Sequence, residues 1–111
     1  MTKTLCGSRM IYNFPGGGVE NGEGFEEALI RECDEELQSN VLVKNRMYFS
    51  DNLYKNDEFP GFFMFNLYYD IETNTEPKGD IAWFPLDELP LKDMLEIDIE
   101  FVNKVFKKKT K

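Results

Sequence analysis

The fold is decided by residues 14–37, FPGGGVENGEGFEEALIRECDEEL, where a glycine-rich turn leads into a segment with helical spacing. We predict an α-helix over Phe25–Leu37. At roughly 100° per residue, Glu32, Glu35 and Glu36 fall on one stripe of that helix, at i, i+3 and i+4. The neighbouring stripe is apolar and is predicted to pack on a sheet; it consists of Leu29, Ile30, Cys33 and Leu37.

Three carboxylates on one helical stripe repel each other, so a helix selected only for stability would separate them. A hard divalent cation would offset this repulsion, because Mg²⁺ binds carboxylate oxygens together with substrate phosphates. The alternative is a solvated acidic face with no ligand. Gly16, Gly17 and Gly18 favour the cation, because their backbone can approach a ligand closely.

The same stretch resembles the Nudix box, whose consensus is G-x5-E-x7-R-E-U-x-E-E-x-G-U, with U a bulky aliphatic residue. The fixed positions of the box correspond to Gly17, Glu23, Arg31, Glu32, Glu35 and Glu36, with Cys33 in the apolar slot. The match departs at the end, where Gln38 and Ser39 replace the glycine and the apolar residue. Because that glycine usually ends the helix in a left-handed turn, either Gln38 adopts this conformation or Asn40 takes over the turn.

The resemblance implies an α+β fold, namely a Nudix-type α/β/α sandwich with a mixed sheet. It also implies a Mg²⁺ site, in which Mn²⁺ is an alternative, with Glu32, Glu35, Glu36 and the Gly16 carbonyl as ligands. A further acid of this site is expected from a late loop, either Glu76 or Asp80. One of the glutamates, or another nearby acid, would serve as general base, and Arg31 is expected to pair with Glu23. Gly17 and Gly18 are expected to contact the substrate.

Composition limits the function classes that fit this chain. Its 111 residues predict a single domain over residues 1–111. A net charge of −8 argues against nucleic-acid binding, which rests on neutralising phosphates. We find no apolar run long enough to span a membrane and no signal peptide. Two cysteines do not make a disulfide framework, so we predict a reduced, cytoplasmic protein. Since the chain has no histidine, a histidine-based zinc site and a Ser-His relay are excluded.

The first fourteen residues are short for the lead of a Nudix-like domain. Residues 2–6 and 10–14 are predicted strands, and the N-terminal part of the sheet is expected to be shortened or missing. A missing strand would leave a sheet edge open. Our hypothesis is that a second copy of the chain covers this edge in a homodimer.

The later segments alternate between predicted strands and turns. Residues 41–43 and 47–53 are predicted to form one irregular strand, and residues 55–61, including Asp57, a hairpin connection. Residues 62–71 are predicted to form one strand that is covered on both faces. Its aromatic rings fit either the core or, with Phe14 or Tyr12, a slot in which a base stacks. Residues 81–85 are predicted to form a strand, and residues 98 to about 109, with the run Lys107, Lys108 and Lys109, a closing helix.

The segment WFPLDELPLKDMLEID, residues 83–98, is similar to the segment that reads the base in hydrolases of oxidised purine nucleoside triphosphates. Leu95 stands where those enzymes have a tryptophan, and Asp98 keeps the acid. Asp98 is therefore either a substrate-binding residue or the N-cap of the last helix.

Three hypotheses about function follow. The first is a Mg²⁺-dependent Nudix pyrophosphohydrolase that cleaves a nucleoside diphosphate linked to another moiety. Its expected substrate is an ordinary or oxidised nucleoside triphosphate, and its products are a nucleoside monophosphate and pyrophosphate. The second is a non-catalytic Nudix-fold module that senses a nucleotide or binds a protein. The third is an inactive fragment.

Overall fold

The computed structural model describes residues 1–56 and 59–106. In these residues the chain forms six strands and two helices, in the order β1 (Thr2–Cys6), β2 (Arg9–Asn13), α1 (Phe25–Leu37), β3 (Val41–Phe49), β4 (Tyr54–Lys55), β5 (Phe63–Met64), β6 (Leu67–Thr73) and α2 (Glu96–Val105). Two short 3-10 turns, Leu86–Glu88 and Leu91–Asp93, precede α2.

Helix α1 has the predicted bounds, Phe25–Leu37. At each end, a backbone amide that flanks the helix forms a hydrogen bond with a helix residue. Glu27 Oε1 accepts a hydrogen bond of 2.9 Å from the Gly24 amide just before the first turn. Gln38 follows the last turn with φ 51°, and its amide donates to the Asp34 carbonyl at 3.1 Å. Of the two predicted alternatives, Gln38 therefore takes the left-handed position.

The central ribbon of the fold is the antiparallel pair β3–β6. Register shifts between Val43 and Arg46, and again between Arg46 and Tyr48, confirm that β3 is irregular. The prediction was wrong at its end, since β3 stops at Phe49 rather than Leu53.

The two helices pack against opposite faces of this ribbon. In β6, Tyr68 and Ile71 lie three residues apart, so their side chains point to opposite faces. Tyr68 stacks on Phe101 of α2 with ring centroids 4.0 Å apart, whereas Ile71 packs with Cys33 and Leu37 of α1. This arrangement of helix, sheet and helix matches the α+β fold that was predicted. Ile30, assigned to the apolar stripe of α1, is instead 41% exposed, because it lies at the margin of that stripe.

Both predicted N-terminal strands are present. β1 and β2 form an antiparallel hairpin in which Thr2 pairs with Asn13 and Cys6 with Arg9. Residues 80–82 pair with the start of β1, where Thr2 bridges Ile81 and the Lys3 amide donates to the Asp80 carbonyl at 2.9 Å.

In the described part of the chain, the three strand pairs are antiparallel. The edge of the hairpin at β2 has one isolated parallel bridge, between Tyr12 and Met94. Each edge of the hairpin is therefore paired over only part of its length, and the homodimer stays a prediction.

The prediction of one long strand over residues 62–71 was wrong. The structure divides it into β5 and β6, and β5 pairs with β4 as a separate hairpin. The expected coverage of both faces also fails here, since Phe62, Phe63 and Phe65 are about half or more exposed. Alternation of large apolar residues gave a strand signal that does not distinguish a buried face from an exposed one.

The last part of the chain also differs from the prediction. Residues 81–85 form no strand, because pairing stops after the single bridge at Ile81. Helix α2 begins at Glu96, two residues earlier than expected. The predicted roles of Asp57 and of Lys107, Lys108 and Lys109 lie outside the described residues. In the described part of the chain, no helix has the length and apolar character needed to cross a membrane.

Candidate functional site

The glycine turn and α1 meet through two carboxylates of the acidic stripe. The Gly16 amide donates a hydrogen bond of 2.9 Å to Glu36 Oε1. The carboxyl group of Glu32 lies so close to Gly17 that a Cβ atom there would come within 2.5 Å of it. The turn and the helix therefore build one site, and the absence of a side chain at Gly17 is what permits the contact.

Arg31 organises the rest of the acidic residues around this site. Its Nε donates to Glu23 Oε2 at 2.6 Å, and its terminal nitrogens donate to Glu23 Oε1 at 3.0 Å and Glu32 Oε1 at 2.9 Å. The Gly18 carbonyl accepts a further bond of 3.0 Å from the same guanidinium. This fork raises the pKa of Arg31 and lowers the pKa of Glu23 through their shared hydrogen bonds. The predicted Arg31–Glu23 pair is thus present.

Glu36 is the carboxylate with the least favourable surroundings on this stripe. Burial raises its pKa, and the negative charges of Glu32 and Glu35 add to that rise, while the Gly16 amide opposes it. Burial, with the charges of Glu36 and Glu32, also raises the pKa of the Cys33 thiol to about 11. Burial is the larger cause of both shifts, and the neighbouring carboxylates add to it.

The donor chemistry of the stripe fits a hard divalent cation, because Glu32, Glu35 and Glu36 all offer carboxylate oxygens. Their side chains do not converge, however. In the described part of the chain, no group of three acidic or cysteine side chains has the arrangement of a metal site. Glu32 is engaged by Arg31 and Glu36 by the Gly16 amide, while 58% of the Glu35 side chain is exposed.

The loop that was expected to supply a further acid docks on the C-terminal end of α1. The Lys78 amide donates to the Leu37 carbonyl at 2.7 Å, and a Cβ atom at Gly79 would lie 2.6 Å from the Glu36 carbonyl oxygen. Glu76 and Asp80 flank this contact, and both are exposed. The structure thus brings their loop to the helix that bears the carboxylates, and their role as ligands stays a prediction.

Asp98 is not the N-cap of α2, because Leu95 has that position and Asp98 lies in the first turn. Its carboxylate is buried and accepts a hydrogen bond of 2.5 Å from the Tyr68 hydroxyl. Burial raises the pKa of Asp98, whereas the Tyr68 bond and a bond from the Phe14 amide oppose the rise. Phe14 itself packs edge-on against Phe101 in the core.

Sequence reasoning missed two polar residues. Asn13 Oδ1 is a buried atom that has no hydrogen-bond partner in the described part of the chain, and it directly precedes Phe14. Glu100 accepts bonds of 2.6 Å from both Tyr48 and Tyr54, and others from the Asp51 amide and Asn52. Although burial opposes the shift, these bonds lower the pKa of Glu100 to about 2. Glu100 has no sequence signal because its partners lie far away in the chain, and the burial of Asn13 Oδ1 depends on tertiary packing that no local pattern reveals.

A family model described as NUDIX domain matches residues 3–105 of this chain. No curated protein matches it.

Proposed function

This chain belongs to the Nudix family, and we propose that it is a divalent-metal-dependent pyrophosphohydrolase that acts in the cytoplasm. It cleaves a nucleoside diphosphate linked to another moiety. The substrate we propose is a nucleoside triphosphate, ordinary or oxidised, with a nucleoside monophosphate and pyrophosphate as products.

One observation carries this proposal, the contact of two carboxylates with the glycine turn. Glu36 accepts a hydrogen bond from Gly16, and Glu32 packs on Gly17. A solvated acidic face needs no such contact, whereas a site for phosphates and a cation needs carboxylates beside accessible backbone. The raised pKa of Glu36 supports the same conclusion, because a bound cation would relieve its repulsion from Glu32 and Glu35.

The chain's own residues would act on the phosphoanhydride as follows. Arg31 holds Glu23 and Glu32 in fixed positions through its planar fork. Gly17 and Gly18 leave the turn open to the phosphates, and Glu32, Glu35 and Glu36 are the residues that would hold a metal. A bound metal would supply positive charge that offsets the charge of the phosphates. A glutamate of this stripe, or a neighbouring acid, would accept a proton from the attacking water.

For the base of the nucleotide we propose recognition by Asp98. The Asp98 carboxyl accepts hydrogen bonds from the Tyr68 hydroxyl and the Phe14 amide, which fix its position. A purine carries hydrogen-bond donors on its edge that a carboxylate can accept.

The test is pyrophosphate release from a panel of ordinary and oxidised nucleotides in Mg²⁺ and in Mn²⁺. The Glu36→Gln variant keeps the shape of the side chain and removes its charge. We expect it to lose at least about a hundredfold in kcat, as for loss of a group that stabilises the transition state. Glu26→Gln is the matched control, because Glu26 is an exposed residue of the same helix.

A binding measurement separates an enzyme from a sensor. Calorimetry with Mn²⁺ should show binding to the wild type that weakens in Glu36→Gln and persists in Glu26→Gln. Nucleotide binding without any turnover would favour the sensing module instead. Equal behaviour of the wild type and Glu36→Gln in both assays would refute the catalytic role.

A further inference from the structure

Gln38, directly after α1, has a backbone conformation that few side chains adopt. Its φ of 51° and ψ of 40° are left-handed, and within the described residues no other residue except glycine has a positive φ. This conformation costs free energy for a residue with a Cβ atom, which is why helices commonly place glycine there. Such strain persists only where the surrounding structure holds the residue in place.

The residue after Gln38 makes the first contact that can hold it. Ser39 is 2% exposed, and its hydroxyl donates a hydrogen bond of 2.8 Å to the Thr75 carbonyl. The same hydroxyl lies 3.0 Å from Thr75 Oγ1, whereas the carbonyl of Asn40 is farther away, at 3.4 Å. A backbone bond of 3.0 Å, from the Asn74 amide to the Asn40 carbonyl, lies beside this contact.

The 74–80 loop also contacts the chain on the other side of Gln38, where the Lys78 amide donates to the Leu37 carbonyl at 2.7 Å. This carbonyl is one of the last of α1, which have no partner within the helix. The loop is thus hydrogen-bonded to the residue before Gln38 and to the residue after it. These two contacts fix the direction in which the chain leaves the helix and account for a left-handed residue that is not glycine.

The last turn of α1 also presents Glu36 to the glycine turn. The Glu36 carboxylate accepts a hydrogen bond of 2.9 Å from the Gly16 amide. Glu36 lies two residues before Gln38, so unwinding of the last turn would carry the carboxylate away from Gly16. The conformation of Gln38 and the position of the Glu36 carboxylate are therefore coupled.

We propose that Ser39 is a positioning residue for the Glu36 carboxylate. Its buried hydroxyl holds the 74–80 loop on the end of α1 and so keeps Gln38 left-handed. The last helical turn then keeps Glu36 against Gly16. In the alternative, Ser39 contributes only to stability, because its own hydroxyl would be costly to bury without a partner. The consequence for metal binding rests on the proposed function, whereas the position of Glu36 does not.

Amide hydrogen exchange, measured by NMR without metal or nucleotide, tests this role, because the Gly16 amide reports where the Glu36 carboxylate lies. Ser39→Ala should reduce the protection of the Gly16 amide by about tenfold, as for the loss of one hydrogen bond to a buried group. Adding Gln38→Gly should restore the protection, because glycine adopts the left-handed conformation without help from the loop. A role in stability alone would lower Tm and leave the Gly16 amide as it is in the wild type.

Ser50→Ala is the matched control. Ser50 is 4% exposed, and its hydroxyl accepts a hydrogen bond of 2.9 Å from the Asn66 amide. It lies directly after β3, at the opposite end of that strand from Ser39. This variant also removes a buried hydroxyl, so it should lower Tm without changing the exchange of the Gly16 amide. Should Ser39→Ala fail to fold in thermal melts, Ser39→Cys replaces it, because a thiol is a weaker donor of similar size.

Calorimetry with Mn²⁺ connects this position to the proposed function. In a wild type that binds Mn²⁺, Ser39→Ala should weaken binding, and the added Gln38→Gly should restore it. Unchanged Gly16 exchange in Ser39→Ala would overturn the proposal, as would Mn²⁺ binding that this variant leaves unchanged. So would a Gly16 amide that Gln38→Gly fails to restore, or one that Ser50→Ala exposes to the same extent. A wild type that binds no Mn²⁺, but whose Gly16 amide responds as expected, would contradict the proposed function and support the role of Ser39.

Discussion

Gly79 lies with Lys78 where the 74–80 loop contacts α1, and replacing Gly79 by alanine tests that contact. Its φ of +97° lies in the region that favours glycine, and a Cβ atom would come within 2.6 Å of the Glu36 carbonyl oxygen. That oxygen is a backbone atom of the helix, so it cannot rotate away as a side chain would. The loop or the helix must move.

Two separate costs add in the Gly79→Ala variant. The positive φ costs an L-residue about 1–2 kcal/mol, and forcing an extra methyl group into a filled space costs about 1–3 kcal/mol. We therefore expect a loss of about 2–5 kcal/mol in the free energy of unfolding. Gly61→Ala isolates the first cost, because Gly61 has a φ of +91° and no atom of the described residues lies within 4 Å of its added Cβ.

Thermal unfolding of the two variants measures the difference. At about 4 °C per kcal/mol for a domain of this size, Gly61→Ala should lower Tm by about 4–8 °C. Gly79→Ala should lower it by at least about 4 °C more, and should also reduce turnover by displacing the loop beside Glu36. Equal Tm values for the two variants would refute the close contact between loop and helix.

Three further variants test the site and its surroundings. Gly17→Ala should leave the free energy of unfolding within about 1 kcal/mol of the wild type, because the Glu32 side chain can rotate away, yet weaken Mn²⁺ binding in calorimetry; unchanged binding would contradict the contact. Without metal, Glu36→Gln should raise Tm at neutral pH: the pKa of Glu36 is raised, so the wild type loses stability as pH rises through it. This advantage should vanish in melts at acid pH, and an advantage that persists there would contradict the shift. Glu100 has a pKa of about 2, below the 4.5 of a free glutamate, so its stabilisation is present above 4.5 and is lost as pH falls towards 2. Glu100→Gln should therefore lower Tm at neutral pH and flatten the acid limb of the stability curve, and an unchanged acid limb would contradict this.

Local sequence predicted the turn and helix well, because their determinants lie within a few residues. The bounds of α1 follow from apolar spacing between Gly24 and Gln38, and Cys33 is fully buried as the spacing indicates. The segment 62–71 was predicted badly because alternation of large apolar residues does not reveal whether another layer covers them. Phe63 and Phe65 alternate as core residues do, yet they are exposed.

The candidate site shows the same division. Arg31 and Glu23 are eight residues apart in sequence, and both are fixed positions of one motif. Their pairing was therefore predictable. The contacts of Glu100 with Tyr48 and Tyr54 join residues 52 and 46 positions apart, and no local pattern encodes them. The N-cap alternative for Asp98 was wrong because it depended on where α2 begins. The predicted start, at residue 98, was two residues too late.

The balance of charge at the site explains why the proposed function needs a cation. Arg31 lies within ion-pair distance of four carboxylates, those of Glu20, Glu23, Glu32 and Glu35. Glu36 adds another negative charge beside Gly16, so one guanidinium faces an excess of carboxylates. A polyphosphate brings more negative charge to the same place and would be repelled by this arrangement alone. Under the proposed function, the site would bind such a substrate only together with added positive charge, and the crowding of glutamates on α1 would serve that function rather than stability.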